Sequence, residues 1–276
     1  MAEKRRSSKR VAKTVLIIFL LMIIAQCAWE IWSILSDYKK GNDTYEEAAS
    51  FVSIPEKREE PISEESFHEI IPDHPSDSDD DPAIELAEED EIDWPVVDFN
   101  ALREINPDIV GWIYIEDTNI NYPIAQGSDN SYYLGHMYNK QWDGYGCIFM
   151  DYLNSPDFSD PNSVIYGHHM QNGSMFQNLA GYKEQEFYET HKAAYLLTPD
   201  KNYQIILFAG YVASLKEDAW KVDFSEEEFE PWYMKAIGRS CFDSGIVPTP
   251  QSRIITLSTC SYEFNNARFV VLGMLK

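Results

Sequence analysis

Cys260 closes the apolar run Ile254-Ile255-Thr256-Leu257-Ser258-Thr259, and the loop-like stretch from Ser261 to Asn266 follows it. A thiol at such a strand end is held rigidly while its sulfur can reach solvent. Free cysteines are more often buried packing residues, so the neighbours have to decide. Arg268 opens the next apolar run eight residues later, which sets a guanidinium opposite the thiol across a hairpin. His168 and His169 follow Asn162-Ser163-Val164-Ile165-Tyr166-Gly167, again at a strand end. A lone histidine is more often structural than catalytic. Together, the three residue types supply what thiol acyl transfer needs. The thiolate is the nucleophile, the imidazole carries a proton to the leaving amine, and the cation stabilises a tetrahedral oxyanion.

Elements able to position these groups lie between Trp94 and the C-terminus, where short apolar runs alternate with Gly, Pro, Asn and Asp. Residues Asp98 to Ile105 read as a helix entered through an Asp cap and ended before Pro107. Eight segments rich in Ile, Val, Tyr and Phe read as strands: Ile109–Ile115, Ile120–Ala125, Cys147–Asp151, Ser163–Tyr166, Ala194–Leu197, Tyr203–Ala213, Arg253–Ser258 and Arg268–Leu275. So many strands with so little helix predict a mainly β fold, a closed or nearly closed barrel. Phe224–Ile237, with acidic Glu226, Glu227 and Glu228 at its start, reads as an amphipathic helix inserted before the last strands.

The net charge of −24 excludes a nucleic-acid binder, which needs clustered Lys and Arg. That charge is uneven. Residues 1–42 hold eight Lys/Arg against three Asp/Glu, residues 43–93 hold two against twenty, and residues 94–276 hold twelve against twenty-three. Residues 1–14 read as a basic cytoplasmic segment and 15–35 as a transmembrane anchor. The apolar run Val15–Ala25 continues through Trp29, Ile31, Trp32, Ile34 and Leu35, about the 20 residues a helix needs to cross a bilayer. The basic flank favours a cytoplasmic N-terminus, and Trp29 and Trp32 suit the far interface. No small-x-small site follows the run, and Gln26 before Cys27 spoils a lipobox, so the anchor is expected to be retained. Residues 36–93, with five prolines and the acidic run Asp77–Asp81, read as an extended solvated linker, with room for a short helix at Ile84–Glu91.

Four cysteines at wide spacing make neither a disulfide framework nor a zinc site. Cys147 and Cys241 read as packing residues. His68, His74, His136 and His191 are scattered, and neither metal nor cofactor is expected.

Thr256-Leu257-Ser258-Thr259-Cys260 with Arg268 resembles the sortase signature, and Asn162 to His168 resembles the strand bearing the sortase histidine. Ser258, the stretch Asn106-Pro107-Asp108-Ile109-Val110-Gly111-Trp112-Ile113 and the 224–237 insertion resemble class B sortases in particular. The resemblance spans residues 94–276 as a catalytic domain and implies an eight-stranded barrel with N-terminal helices. It implies Cys260, His168 and Arg268 as catalytic residues, His168 being the histidine directly after Gly. It also implies a substrate groove near Asn130, Leu134, Tyr166, Ser258 and Thr259. The implied partners are surface proteins with a C-terminal sorting signal, an amine on a peptidoglycan precursor or pilin, and the membrane through the N-terminal helix. The loop between Cys260 and Arg268 is short for the family.

Two other readings compete. A papain-like peptidase would hydrolyse rather than transfer, but its cysteine precedes its histidine, the reverse of the order here. A tethered β-barrel binding module explains the anchor and linker and leaves Cys260, His168 and Arg268 as coincidence. The charge asymmetry predicts residues 1–13 inside and 37–276 outside, with the anchor uncleaved. Sequencing the N-terminus of the mature protein tests this, and a start beyond residue 30 contradicts it.

Overall fold

The computed structural model describes residues 2–55 and 93–276. Helix α1 spans Ala2–Ala49; the two-residue strands β1 (Val52–Ser53) and β2 (Val96–Val97) pair antiparallel; helix α2 spans Phe99–Ile105. There follow β3 (Ile109–Tyr114), β4 (Asn121–Ala125), β5 (Ile148–Met150), β6 (Asn162–Tyr166), helix α3 (Gln185–Thr190), β7 (Ala193–Leu197), β8 (Asn202–Ser214), helix α4 (Glu226–Arg239), β9 (Ile254–Cys260) and β10 (Ala267–Leu275). Strands β3 to β10 close into a barrel in the order β10-β8-β7-β3-β4-β5-β6-β9, with β9 returning to β10. Each of the eight expected strands is present, with its ends moved by one or two residues. The short helix expected at Ile84–Glu91 lies outside the described residues.

Local chemistry explains the helices. Asp98 accepts a 3.0 Å hydrogen bond from the Ala101 amide, capping α2, and Asn106 turns extended before Pro107. Ser225 and Glu228 form a capping box at the start of α4, whose Phe229, Trp232, Tyr233 and Ala236 bury against β8. The Trp232 indole donates to the Asp218 carbonyl at 2.9 Å, which holds the loop between β8 and α4 against the barrel. The 3-10 turns at Tyr132–Leu134 and Gln177–Lys183, and α3, were not anticipated. They are too short to show a period, and the burial of Tyr133, Tyr182 and Tyr188 in the core fixes them.

The linker expectation is corrected over residues 36–55. Helix α1 runs past the apolar segment to Ala49, and Tyr38, Gly41, Tyr45 and Ala48 form one face against the barrel, with Gly41, Tyr45 and Ala48 buried. Apolar burial and close packing on Tyr145 outweigh the charge of the outer face, so this stretch folds. The β1–β2 ladder pairs Val52 with Val97, which brings together the two ends of residues 54–95. The helix is therefore joined to the barrel by direct packing.

Most neighbouring strands are antiparallel, but β4 and β5 run parallel, as do β6 and β9, the latter in the register Asn162↔Ile254 to Tyr166↔Ser258. A buried polar lock sets that register. The Thr256 hydroxyl donates to Asn162 Oδ1 at 2.8 Å, Asn162 Nδ2 donates to the Lys221 carbonyl at 2.8 Å, and Asn154 Nδ2 donates to the Asn162 carbonyl at 2.8 Å. Asn162 and Thr256 are fully buried. Removing the amide leaves the Thr256 hydroxyl without an acceptor, so Asn162→Ala should cost about 2–3 kcal/mol of folding stability. Chemical denaturation measures this, and a loss below about 0.5 kcal/mol would show that the lock contributes little.

Candidate active site

The parallel pair β6–β9 ends with both chains pointing the same way, so the residues just past Tyr166 and Ser258 emerge side by side. The Gly167 amide donates to the Ser258 carbonyl at 3.0 Å, and the Thr259 hydroxyl donates to the Gly167 carbonyl at 2.9 Å. His168 and Cys260 follow directly. The hairpin from β9 to β10 pairs Arg268 with Cys260 in register. All three residues are partly exposed and line one cleft of about 480 Å3.

The same cleft is lined by Asn130, Leu134, Tyr166, Ser258 and Thr259, the five expected groove residues. Their polar groups are mostly engaged with the protein itself. Asn130 Nδ2 and the Tyr166 hydroxyl both donate to Asp151 Oδ2, each at 2.8 Å, and Asn130 Oδ1 accepts from the Tyr152 amide. Burial and the Asp151 carboxylate push the Tyr166 phenol well above its usual pKa. Ser258 accepts from the Trp220 indole at 2.9 Å, and Ser258 and Thr259 are both 2% exposed. Leu134 differs, being 47% exposed with its side chain at the cleft.

Sequence reasoning missed Phe149, Leu215 and Trp220, which also line the cleft, and Asp151 beneath it. Trp220 sits among charged residues in a loop, and only the α4 contact brings it over Ser258. An aromatic in a charged loop was the one available signal.

His168 Nε2 lies 2.8 Å from the Leu134 carbonyl. A carbonyl only accepts, so Nε2 carries the hydrogen and, in the neutral ring, Nδ1 carries the lone pair. Gly146 flanks the ring. Its φ is +59°, and a Cβ there would fall 2.9 Å from His168 Cδ2, 2.7 Å from the Tyr133 carbonyl oxygen and 2.8 Å from that of Leu134.

His169 sits differently. Its ring meets Tyr262 edge-on at 5.3 Å, and its Nδ1 is buried without a hydrogen bond. Burial, with Lys183 nearby, pulls its pKa below the usual histidine value, which disfavours a cationic role. Behind it Lys183 pairs with Glu263 at 2.5 Å and donates to the Ser261 hydroxyl at 3.1 Å. Lys183 and Ser261 together hold the Glu263 carboxyl down at about 2. The other cysteines are free. Cys147 is buried and its thiol pushed up to about 12, mainly by burial. Cys241, expected to pack, is instead exposed.

A partly exposed thiol on a barrel strand, paired with arginine and sharing a cleft with histidine, is the set of groups that a cysteine acyltransferase needs. The sequence profile of the sortase domain matches residues 113–276, and the chain belongs to the sortase family of cysteine transpeptidases. It is 38% identical over 177 residues to sortase B of Listeria monocytogenes, covering 63% of this chain and 72% of that protein. The crystal structure of Clostridium perfringens sortase B matches with a TM-score of 0.61 and 37% identity, over 64% of this chain and 98% of that one. Staphylococcus aureus sortase B matches as a substrate complex (TM-score 0.62, 34% identity, 64% and 84% coverage) and complexed with triglycine (0.61, 34%, 64% and 85%).

The crowding at Gly146 yields a test. Gly146→Ala places a methyl against the His168 ring and two carbonyl oxygens, and forces an L residue to hold a positive φ. With His168 in the catalytic role that the sequence leads one to expect, transpeptidation should fall at least about tenfold in a variant that still folds, since small displacements of a reacting group are costly. Wild-type kcat/KM in the folded variant would mean the loop yields without moving the ring.

Proposed function

We propose that this chain is a membrane-anchored class B-type sortase. It cleaves a C-terminal sorting signal on surface proteins and transfers the acyl product to an amine of a peptidoglycan precursor or pilin. The single observation that carries this reading is the in-register pairing of Arg268 with Cys260, beside His168 at the end of a parallel neighbour. The solved complexes of the Staphylococcus aureus relative, one with substrate and one with triglycine, support a peptide donor and an amine acceptor.

The steps follow from the residues. The Cys260 thiolate attacks the carbonyl carbon of the scissile Thr residue, forming a carbon–sulfur bond and moving an electron pair onto oxygen. Arg268 donates to that oxyanion; its Nη1 also donates to the Ala267 carbonyl at 2.9 Å, which fixes the plane of the fork. Collapse breaks the carbon–nitrogen bond, and the His168 imidazolium gives its Nδ1 proton to the departing amine. The acceptor amine then attacks the thioester, His168 takes the proton back, and the thiolate leaves. Leu134, Phe149, Leu215 and Trp220 provide an apolar wall for the signal peptide. Asn130, Tyr166, Ser258 and Thr259 shape the floor, with their hydrogen bonds already satisfied.

Helix α1 supplies the anchor. Its part from Lys13 to Ala49 has an 18-residue window of mean hydropathy 2.2, and the side chains from Val15 to Leu35 are unburied apart from partly covered Ser33. The N-terminus lies in the cytoplasm and the barrel on the outer face.

The measurement is kcat/KM on a fluorogenic sorting-signal peptide, with folding checked separately. Cys260→Ala should abolish acyl-enzyme formation, and His168→Ala should lose about 10²–10⁴-fold. Arg268→Lys should also be damaging, because an ammonium cannot reproduce the planar fork. His169→Ala should cost much less. A dead His169→Ala beside an active His168→Ala would move the proton carrier by one residue.

A further inference from the structure

We propose that the segment of α1 next to the membrane is a positioning element for His168, acting through Tyr45 and Asn42, so that helix docking and catalytic competence are coupled. The proposal rests on the reading of His168 as the proton carrier.

Two chains of contacts lead from the helix to the imidazole. In the first, the Tyr45 hydroxyl, buried in the core, donates to the Gly146 carbonyl at 2.5 Å. Gly146 abuts the His168 ring so closely that a Cβ would fall 2.9 Å from it. The next amide, Cys147, donates to the Tyr133 carbonyl at 2.9 Å, and the adjoining Leu134 carbonyl accepts from His168 Nε2. Two of the groups against the ring, Gly146 and the Leu134 carbonyl, therefore belong to one unit that Tyr45 ties to the helix.

The second chain reaches the segment that follows His168. The Tyr145 hydroxyl donates to Asn42 Oδ1 at 2.8 Å and accepts from Asn172 Nδ2. Past Asn172 the chain turns back, and the Phe176 amide donates to the His168 carbonyl at 2.9 Å. The Met175 amide donates to the Tyr122 hydroxyl at 3.0 Å, and the Tyr122 ring stands edge-on to Tyr45 at 5.3 Å. Gly41 lets the helix backbone lie directly on the Tyr145 ring, since a side chain there would collide with it. Lys40 adds an ion pair to Asp143 at 3.4 Å in the same loop.

A helix that only buried apolar surface would need neither hydroxyl nor amide at these points. The Tyr45 hydroxyl bonds the carbonyl of Gly146, the residue packed against Cδ2 of the ring. Asn42 is exposed, so its amide contributes orientation more than burial.

The test uses the full chain in detergent micelles, with the fluorogenic sorting-signal peptide as substrate. Tyr45→Phe removes one oxygen and keeps the ring packing; kcat should fall about tenfold with KM unchanged. The pH profile of kcat should move as well. Asn42→Ala should lower kcat in the same direction without threatening the fold, and Asn42→Asp should restore it, because a carboxylate still accepts from Tyr145. Wild-type kcat and pH profile in Tyr45→Phe and Asn42→Ala, with only the melting temperature lowered, overturn the proposal. His168→Ala runs beside them. If it is inactive while the helix variants are unaffected, this inference alone fails; if it is fully active, the reading of the site fails and this proposal with it.

Discussion

Between β6 and β9 the chain lays two strands side by side in the same direction, and the register of that pair decides what the C-terminal ends can do. A one-residue slip would turn each side chain to the opposite face, carrying the residues beyond Tyr166 away from those beyond Ser258. The lock of Asn162 on Thr256 prevents that slip. The polar bond lies buried at the base of the strands, while the chemistry sits at their open ends. A parallel pair also needs a long crossover, and here the crossover holds α3, β7, β8 and α4. The loop that brings Leu215 and Trp220 to the cleft is therefore part of the connection that makes the parallel pairing possible.

The cleft shows a consistent division between groups that bond the protein and groups left at the surface. Asp151 takes up Asn130 and Tyr166, Trp220 takes up Ser258, and Gly167 takes up Thr259. Each of these polar side chains is near or below the cleft, and each has its partner in the protein. What remains at the opening is Cys260, His168, part of the Arg268 fork and an apolar wall. A cleft of this kind offers shape and apolar area along its wall and keeps its polar groups together at one end. Fixed hydrogen bonds around the floor also limit how far the reacting groups can drift.

Docking of α1 changes how the acidic middle segment relates to the rest of the molecule. Charge repulsion alone describes a spacer holding a domain away from its anchor. The face Tyr38, Gly41, Tyr45 and Ala48 instead brings helix and barrel together, and β1 with β2 brings together the ends of residues 54–95. The distance between the apolar N-terminal part of α1 and the barrel is thus set by a packed helix, whose rise is about 1.5 Å per residue.

Much was legible in the sequence. The eight strands were readable because β-branched and aromatic runs end at Gly, Pro and Asn turns, and α2 and α4 because their caps are local chemistry. Cys260, Arg268 and the pair His168 and His169 could be singled out from position and type, at the ends of such runs, and the family resemblance chose His168 of the two. The helical face from Tyr38 to Ala48 was present at spacings of three and four, but the neighbouring charge obscured it, and its burial depends on Tyr122 and Tyr145 of the barrel. The roles of Trp220 and Asp151 were not legible, since each acts on a residue at least 15 positions away. The sequence by itself determined the eight barrel strands, α2 and α4, the charge segregation and the candidate residue types, because these follow from local propensity and spacing. Only the tertiary structure decided which strand ends meet, which histidine faces the thiol's cleft and which hydroxyls are already bonded. Those depend on strand order and register across gaps of about ninety residues, and no local rule carries that far.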